Sequence, residues 1–147
     1  SYQGWRYHMS DIMAAIGKEQ LANFNYHKTR RQEIAKRYVS RIGDIPSVTI
    51  FKHDYDNVVP HIFVILLGEG TDRVGLIKFL KKNGIPTGIH YKPNHLLTYF
   101  SNDSKEVLPT TDMLYPRLLT LPIHPDLDYK TVDFIVDFLK EGIEYVR

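Results

Sequence analysis

The chain of 147 residues has the length of one domain, or of one compact piece of a larger protein. Hydrophobic residues at 43% and charged residues at 24% suit a soluble globular fold and exclude a disordered or collagen-like chain. Nineteen basic against seventeen acidic residues, a formal charge of +2, make no case for nucleic acid or an acidic membrane, and the lack of cysteine excludes disulfides and thiolate chemistry.

The opening Ser1-Tyr2-Gln3-Gly4-Trp5 has no initiator methionine and reads as a segment cut from something longer. No apolar run approaches the roughly 20 residues of a membrane span. Ser10 is a good N-cap, with Asp11 on the first turn where the macrodipole favours a negative charge. Ile12, Ala15, Ile16, Leu21, Phe24, Ile34, Tyr38 and Ile42 then recur at helical spacing, and Gly43 is expected as the C′ residue. That predicts one helix of about thirty residues, against a globular mean of about twelve, with the Asn23–Asn25 stretch as the place where it could break.

Val48, Ile50 and Phe51 have strand character, and the run Ile62-Phe63-Val64-Ile65-Leu66-Leu67 reads as a buried strand antiparallel to it. Thr71 is expected to cap a helix carrying Val74, Ile77, Phe79 and Leu80, closed by Gly84. Ile85-Pro86-Thr87-Gly88-Ile89-His90-Tyr91 is predicted as a third strand, residues 93–109 as loop or short helix, and residues 111–117 as a short helix. Leu118-Leu119-Thr120-Leu121-Pro122 is predicted as a fourth strand, and Asp128 as the cap of a last helix with the stripe Val132, Ile135, Val136, Leu139 and Ile143. The order predicts an α+β fold, helices layered on a small, mostly antiparallel sheet.

Most chemical motifs fail on inspection. Seven histidines are present, but none forms a His-x-x-x-His pair on a predicted helix, so no metal site is expected. There is no Gly-x-Ser-x-Gly elbow, and Gly68-Glu69-Gly70 lacks the third glycine and the lysine of a phosphate loop. Two segments stand out. Gly4-Trp5-Arg6-Tyr7-His8-Met9-Ser10-Asp11 delivers a cluster of donors to a helix N-terminus. Gly88-Ile89-His90-Tyr91-Lys92-Pro93-Asn94-His95 places a cation, two imidazoles and a phenol where a strand leaves the sheet.

The same segments carry a family resemblance. The stretch from Gly4 through Met9-Ser10-Asp11-Ile12-Met13-Ala14-Ala15-Ile16-Gly17 resembles the Gly-Tyr-Asn-Tyr-Arg-Met-Ser-Glu-x-x-Ala-Ala-x-Gly block of the DegT/StrS family, the pyridoxal-phosphate-dependent nucleotide-sugar aminotransferases. Gln20-Leu21, Arg30-Arg31-x-x-Ile34-Ala35-x-x-Tyr38, the run Gly84 to Tyr91 with Pro93 and His95, and Leu121-Pro122-Ile123-His124-Pro125 are similar to the same family in the same order. The resemblance implies that residues 1–147 are the small C-terminal domain of a fold type I enzyme, joined by its long first helix to a large cofactor-binding domain absent from this chain. That large domain supplies the lysine of the Schiff base and the acid that pairs with the pyridinium nitrogen. No catalytic residue is therefore expected here, no pyridoxal phosphate is expected on the chain alone, and alone it should not transaminate.

The intact protein is implied to be a cytoplasmic homodimer that moves an amino group, with glutamate as the usual donor, to a nucleotide-linked keto-sugar for surface polysaccharide or amino-sugar biosynthesis. Arg6 stands where the family has the asparagine that reaches the cofactor phosphate of the neighbouring subunit, and an arginine can bind phosphate bidentately. His8 replaces the family's arginine toward the nucleotide-sugar phosphates. His90 and Tyr91 match the His-Tyr pair on the substrate side of the cleft. The departures at Arg6 and His8 keep open an alternative, a non-catalytic regulatory or binding member of the family.

Overall fold

The computed structural model describes residues 4–5, 7–100 and 107–146. The expected first helix is two: α1 (Asp11–Ala22) and α2 (Phe24–Ile42). Ser10 caps α1 as expected, its Oγ accepting from the Met13 N–H at 3.3 Å. The break falls at Asn23, whose side-chain amide donates to the Glu19 carbonyl at 3.0 Å and closes the first helix before the second begins. α1 buries none of its residues, whereas α2 buries Ile34, Ala35, Tyr38 and Ile42, one face at the helical repeat. Gly43 is not a left-handed C′ residue, since its φ of −52° is right-handed. Any other side chain would begin 3.3 Å from the Val39 carbonyl, so space selects the glycine there.

Three strands, β1 (Val48–Ile50), β2 (Phe63–Leu67) and β3 (Leu118–Leu121), form an antiparallel sheet in that order. Ile65 lies opposite Ile50 on one side and Leu119 on the other. Phe63, Ile65 and Leu67 alternate inward, as a strand with one covered face requires. The expected strand over residues 85–91 is reduced to a single bridge, Gly88 to Thr120, with N–H···O distances of 3.0 and 2.8 Å. Pro86 has no N–H to give a ladder, which accounts for the missing pairs on that side of the segment.

α3 (Arg73–Lys82) is capped by Asp72 rather than Thr71, with Oδ1 accepting from the Gly75 N–H at 3.0 Å. Its end is a Schellman turn: Ile85 N–H bonds to Leu80 C=O at 2.9 Å, Gly84 N–H bonds to Lys81 C=O at 3.1 Å, and Gly84 takes the left-handed φ of +76°. α4 (Pro109–Leu114) and a 3-10 turn (Tyr115–Arg117) lead into β3. α5 (Tyr129–Tyr145) is capped by Asp128 as expected and buries the predicted stripe. The resulting α+β core joins α2, α3 and α5 to one face of the sheet, with Tyr38 stacked on Phe63 at 4.8 Å between ring centres.

Polar contacts sit around this core. Arg37 Nε donates to Asp133 at 2.8 Å and Arg41 Nη2 to Asp137 at 2.9 Å, tying α2 to α5. The Tyr38 hydroxyl, fully buried, donates to the Pro122 carbonyl at 2.9 Å. Arg31 Nη1 reaches the Ile123 carbonyl at 3.2 Å, while Arg30 reaches those of Pro125 and Leu127 at 3.4 and 2.9 Å.

Two titrations bracket stability. Bonding to Arg37 holds the Asp133 carboxyl below its ordinary value of 3.8, so the unfolded chain binds that proton more readily and its stabilisation is lost as pH falls through and below this value. Burial pushes the Tyr38 hydroxyl above its ordinary 10.0, so its contribution is complete below that pH and is lost as pH rises beyond it. Urea unfolding across pH should show both limbs. Asp133→Asn should make the acid limb shallower, Asp54 and Asp128 carrying the rest, and Tyr38→Phe the alkaline one, where Tyr55 also contributes. Tyr38→Phe should also lose about 1–3 kcal/mol at neutral pH through the stranded Pro122 carbonyl.

Candidate functional site

Of the two segments singled out by the sequence, the first leads into α1 without packing on the core. Tyr7, His8 and Met9 are exposed, and Arg6 lies outside the described residues. His8 is not among the residues that wall the cavity described next, so within one chain the two segments do not meet there.

The second segment is built into the fold. After the Schellman turn at Gly84, the chain runs along β3 and is held there by the paired backbones of Gly88 and Thr120. That bridge sets the imidazole of His90 directly over Gly88, where a Cβ would lie 2.7 Å from the ring's Cε1. Only glycine permits this approach. On the other side, His90 Nδ1 and the Thr120 hydroxyl are 3.0 Å apart. Thr120 is only 6% exposed, so its hydroxyl has a strong preference for a partner, and the imidazole is that partner. With Nδ1 engaged, Nε2 is the ring nitrogen left for a ligand.

A cavity of 310 Å³ opens against this imidazole, walled by His61, Thr87, Gly88, Thr120 and Pro122 among others. The Thr87 hydroxyl is buried without a partner among the described residues. Tyr91, joined to His90 by a cis peptide, meets the imidazole edge-on at 4.8 Å and is 68% exposed, so its phenol faces outward rather than into the core. His95 turns to a different task. Its Nε2 pairs with Asp112 at 2.8 Å, pinning the 3-10 turn Asn94–Leu96 to α4. Among the described residues, no three His, Asp or Glu side chains converge as metal ligands.

Sequence reasoning picked out His90 and Tyr91 but missed Thr120, Thr87 and His61. A signal for Thr120 was present: it is the one polar residue in the apolar run Leu118-Leu119-Thr120-Leu121, and a hydroxyl inside a buried strand implies a partner. Thr87 and His61 carry no such mark, because only the turn at Gly84 and the approach to β2 bring them to one wall.

A family model described as the DegT/DnrJ/EryC1/StrS aminotransferase family matches residues 1–140. The chain belongs to that family. Its backbone is similar to that of Spr1654 from Streptococcus pneumoniae, described as a sugar aminotransferase and solved in PMP, PLP and apo forms. Against the PMP form the TM-score is 0.87 at 28% identity, covering 95% of this chain and 36% of that one. A DegT DnrJ EryC1 StrS aminotransferase from Brucella abortus gives a TM-score of 0.80 at 29% identity, over 97% of this chain and 39% of that one. DesI, solved in the presence of its TDP-sugar product, gives 0.81 at 25% identity, over 90% and 35%. The chain thus spans between a third and two fifths of the length of these proteins.

Pyridoxal phosphate requires an imine-forming lysine and an acid at its ring nitrogen. No lysine and no carboxylate lines the cavity beside His90. That cavity therefore does not make a complete site for the cofactor.

The geometry predicts that Gly88→Ala expels the His90 imidazole and that Thr120→Val frees it, whereas Thr120→Ser retains the bond. Two-bond 1H–15N spectra of the histidine ring should show a single, fixed tautomer in the parent chain and in Thr120→Ser. In Thr120→Val the signals should shift toward those of a solvated imidazole, with the fold unchanged by circular dichroism.

Proposed function

We propose that this chain is the small C-terminal domain of a pyridoxal-phosphate-dependent aminotransferase that moves an amino group, from glutamate, onto a nucleotide-linked keto-sugar. The observation that carries the reading is the family match over residues 1–140, combined with a His90 imidazole locked between Gly88 and Thr120 in the wall of a cavity, with Nδ1 engaged by Thr120. The sugar-linked relatives and the TDP-sugar product of DesI favour a nucleotide sugar as substrate. Amino-sugar biosynthesis, including that of surface polysaccharide, in the cytoplasm is the setting this substrate suits.

The cofactor, when bound, stabilises the carbanion that amino transfer needs. In this reading a large domain elsewhere in the protein holds the lysine and acid, and the chain alone does not transaminate. His90 binds the sugar end of the substrate through Nε2, oriented by Thr120. Tyr91, packed edge-on against the His90 ring and exposed, is a second contact for that substrate. Arg6 and His8, ahead of α1, serve phosphates in a neighbouring subunit, so the working unit is a homodimer. The exposure of α1 supports such an assembly. Ile12 and Met13 are 74% and 60% exposed in the single chain, and apolar residues in that number on one helix call for a covering surface.

The test is amino transfer by the intact protein. With glutamate and a nucleotide keto-sugar, 2-oxoglutarate should be released in step with aminated sugar, and failure with every keto-sugar offered would end the enzymatic reading. His90→Ala in that protein should raise KM for the sugar about ten-fold or more, the loss of one hydrogen bond to a bound polar ligand. The 147-residue chain mixed with pyridoxal phosphate should show no imine absorbance that survives dialysis.

A further inference from the structure

Arg31 differs from the other described arginines. Arg30, Arg37, Arg41 and Arg117 each pair with a carboxylate, and Arg73 lies over the Tyr115 ring. Arg31 pairs with none. Its Nη1 alone is engaged, donating to the carbonyls of Pro60, His61 and Ile123 at 3.4, 3.3 and 3.2 Å. Nε and Nη2, the two parallel donors with which a guanidinium grips an oxyanion, have no partner among the described residues.

The side chain borders a cavity of 370 Å³ at the junction of α1 and α2, where Gln20, Phe24, His27 and Lys28 form the remaining helical wall. No aspartate or glutamate lines it. Lys28 is half-buried and has no ion pair among the described residues. His27 stands one turn before Arg31 on the same helix face, and its Nδ1 is buried without a partner among the described residues. Positive charge concentrated in a concave, partly apolar wall with no internal counter-charge raises the local anion concentration. An unpaired imidazole nitrogen in the same wall is a group that gains from a ligand.

We propose that the α1–α2 cavity is a binding site for a phosphate group, held bidentately by Arg31 Nε and Nη2, with Lys28 as a second charge and the His27 ring turning to donate. A phosphate fits better than a carboxylate, because two cations and an imidazole exceed what a single negative charge and two oxygens satisfy. The site shares no lining residue with the cavity beside His90. The two are neighbours nevertheless, since the Arg31 guanidinium holds the carbonyls of His61 and Ile123, both of which wall the His90 cavity. The site stands independently of the aminotransferase reading.

Titration of inorganic phosphate into this chain, at ionic strength held constant with chloride, tests it by following the His27 ring and Arg31 Nε–H resonances. Both should shift saturably, with half-saturation on the order of millimolar, a typical strength for one small ligand. Lys28→Ala breaks no hydrogen bond of the fold and should weaken binding several-fold with the spectrum otherwise intact. Arg31→Lys, which keeps the charge and loses the fork, should weaken it about ten-fold. A nucleoside diphosphate run in parallel identifies the source: tighter binding than phosphate assigns the site to a nucleotide, and equal binding to free phosphate. The proposal is overturned if phosphate moves these resonances no more than chloride does, or if Lys28→Ala and Arg31→Lys both bind as the parent does.

Discussion

Four carbonyls after β3, those of Pro122, Ile123, Pro125 and Leu127, accept hydrogen bonds from three side chains of a single helix, Tyr38, Arg31 and Arg30 of α2. The segment needs them. Two prolines in four residues remove N–H groups and prevent it from pairing as a continued strand, so its carbonyls require donors from elsewhere. α2 supplies those donors from one side of its buried face, and in doing so fixes where the chain goes between β3 and α5. The motif Arg30-Arg31 to Tyr38 and the motif Leu121-Pro122-Ile123-His124-Pro125, far apart in sequence, are the two halves of one clasp.

The candidate site hangs on the same end of β3, one residue pair before the clasp. Thr120 is paired through its backbone with Val64 on one side and with Gly88 on the other, while its side chain turns to His90. Its orientation is therefore set by the sheet and its hydrogen bond by burial. The imidazole inherits both. The clasp on the Pro122 and Ile123 carbonyls keeps the adjoining wall of the cavity in place, so α2, though remote from His90 along the chain, shapes its surroundings. Arg31 also lines the α1–α2 cavity, so its hydrogen bonds to the His61 and Ile123 carbonyls link the walls of the two concave surfaces.

Much of this was legible in the residues. The caps at Ser10 and Asp128, the buried alternation of Phe63, Ile65 and Leu67, the stripe of α5 and the Gly84 turn are all local patterns, and the structure realises each of them. The errors have one origin. Asp72 displaced Thr71 as a cap, Gly43 proved right-handed, and residues 85–91 formed a bridge instead of a strand. Thr71 and Asp72 offered the same capping chemistry, Pro86 outweighed a favourable strand pattern, and at Gly43 the constraint was the nearby Val39 carbonyl, so each outcome was decided by what met what in the folded chain.

By itself the sequence determined most of the element types, the faces that α2, β2 and α5 bury, and, through a handful of spaced motifs, membership of the family. These follow from periodicity, capping chemistry and residue identity, which are properties of short windows. Tertiary structure alone decided that Thr120 would hold His90, that Gly88 would lie beneath the ring, that His95 would go to Asp112, and that Arg31 would keep an open edge. The bonds of Thr120 to His90, His95 to Asp112 and Arg31 to Ile123 join groups 30, 17 and 92 residues apart in the chain, and the first of them also sets the ring over Gly88. No local pattern encodes such a meeting, because it exists only when the sheet register and the crossing of α2 over the strand ends place both partners within hydrogen-bond reach.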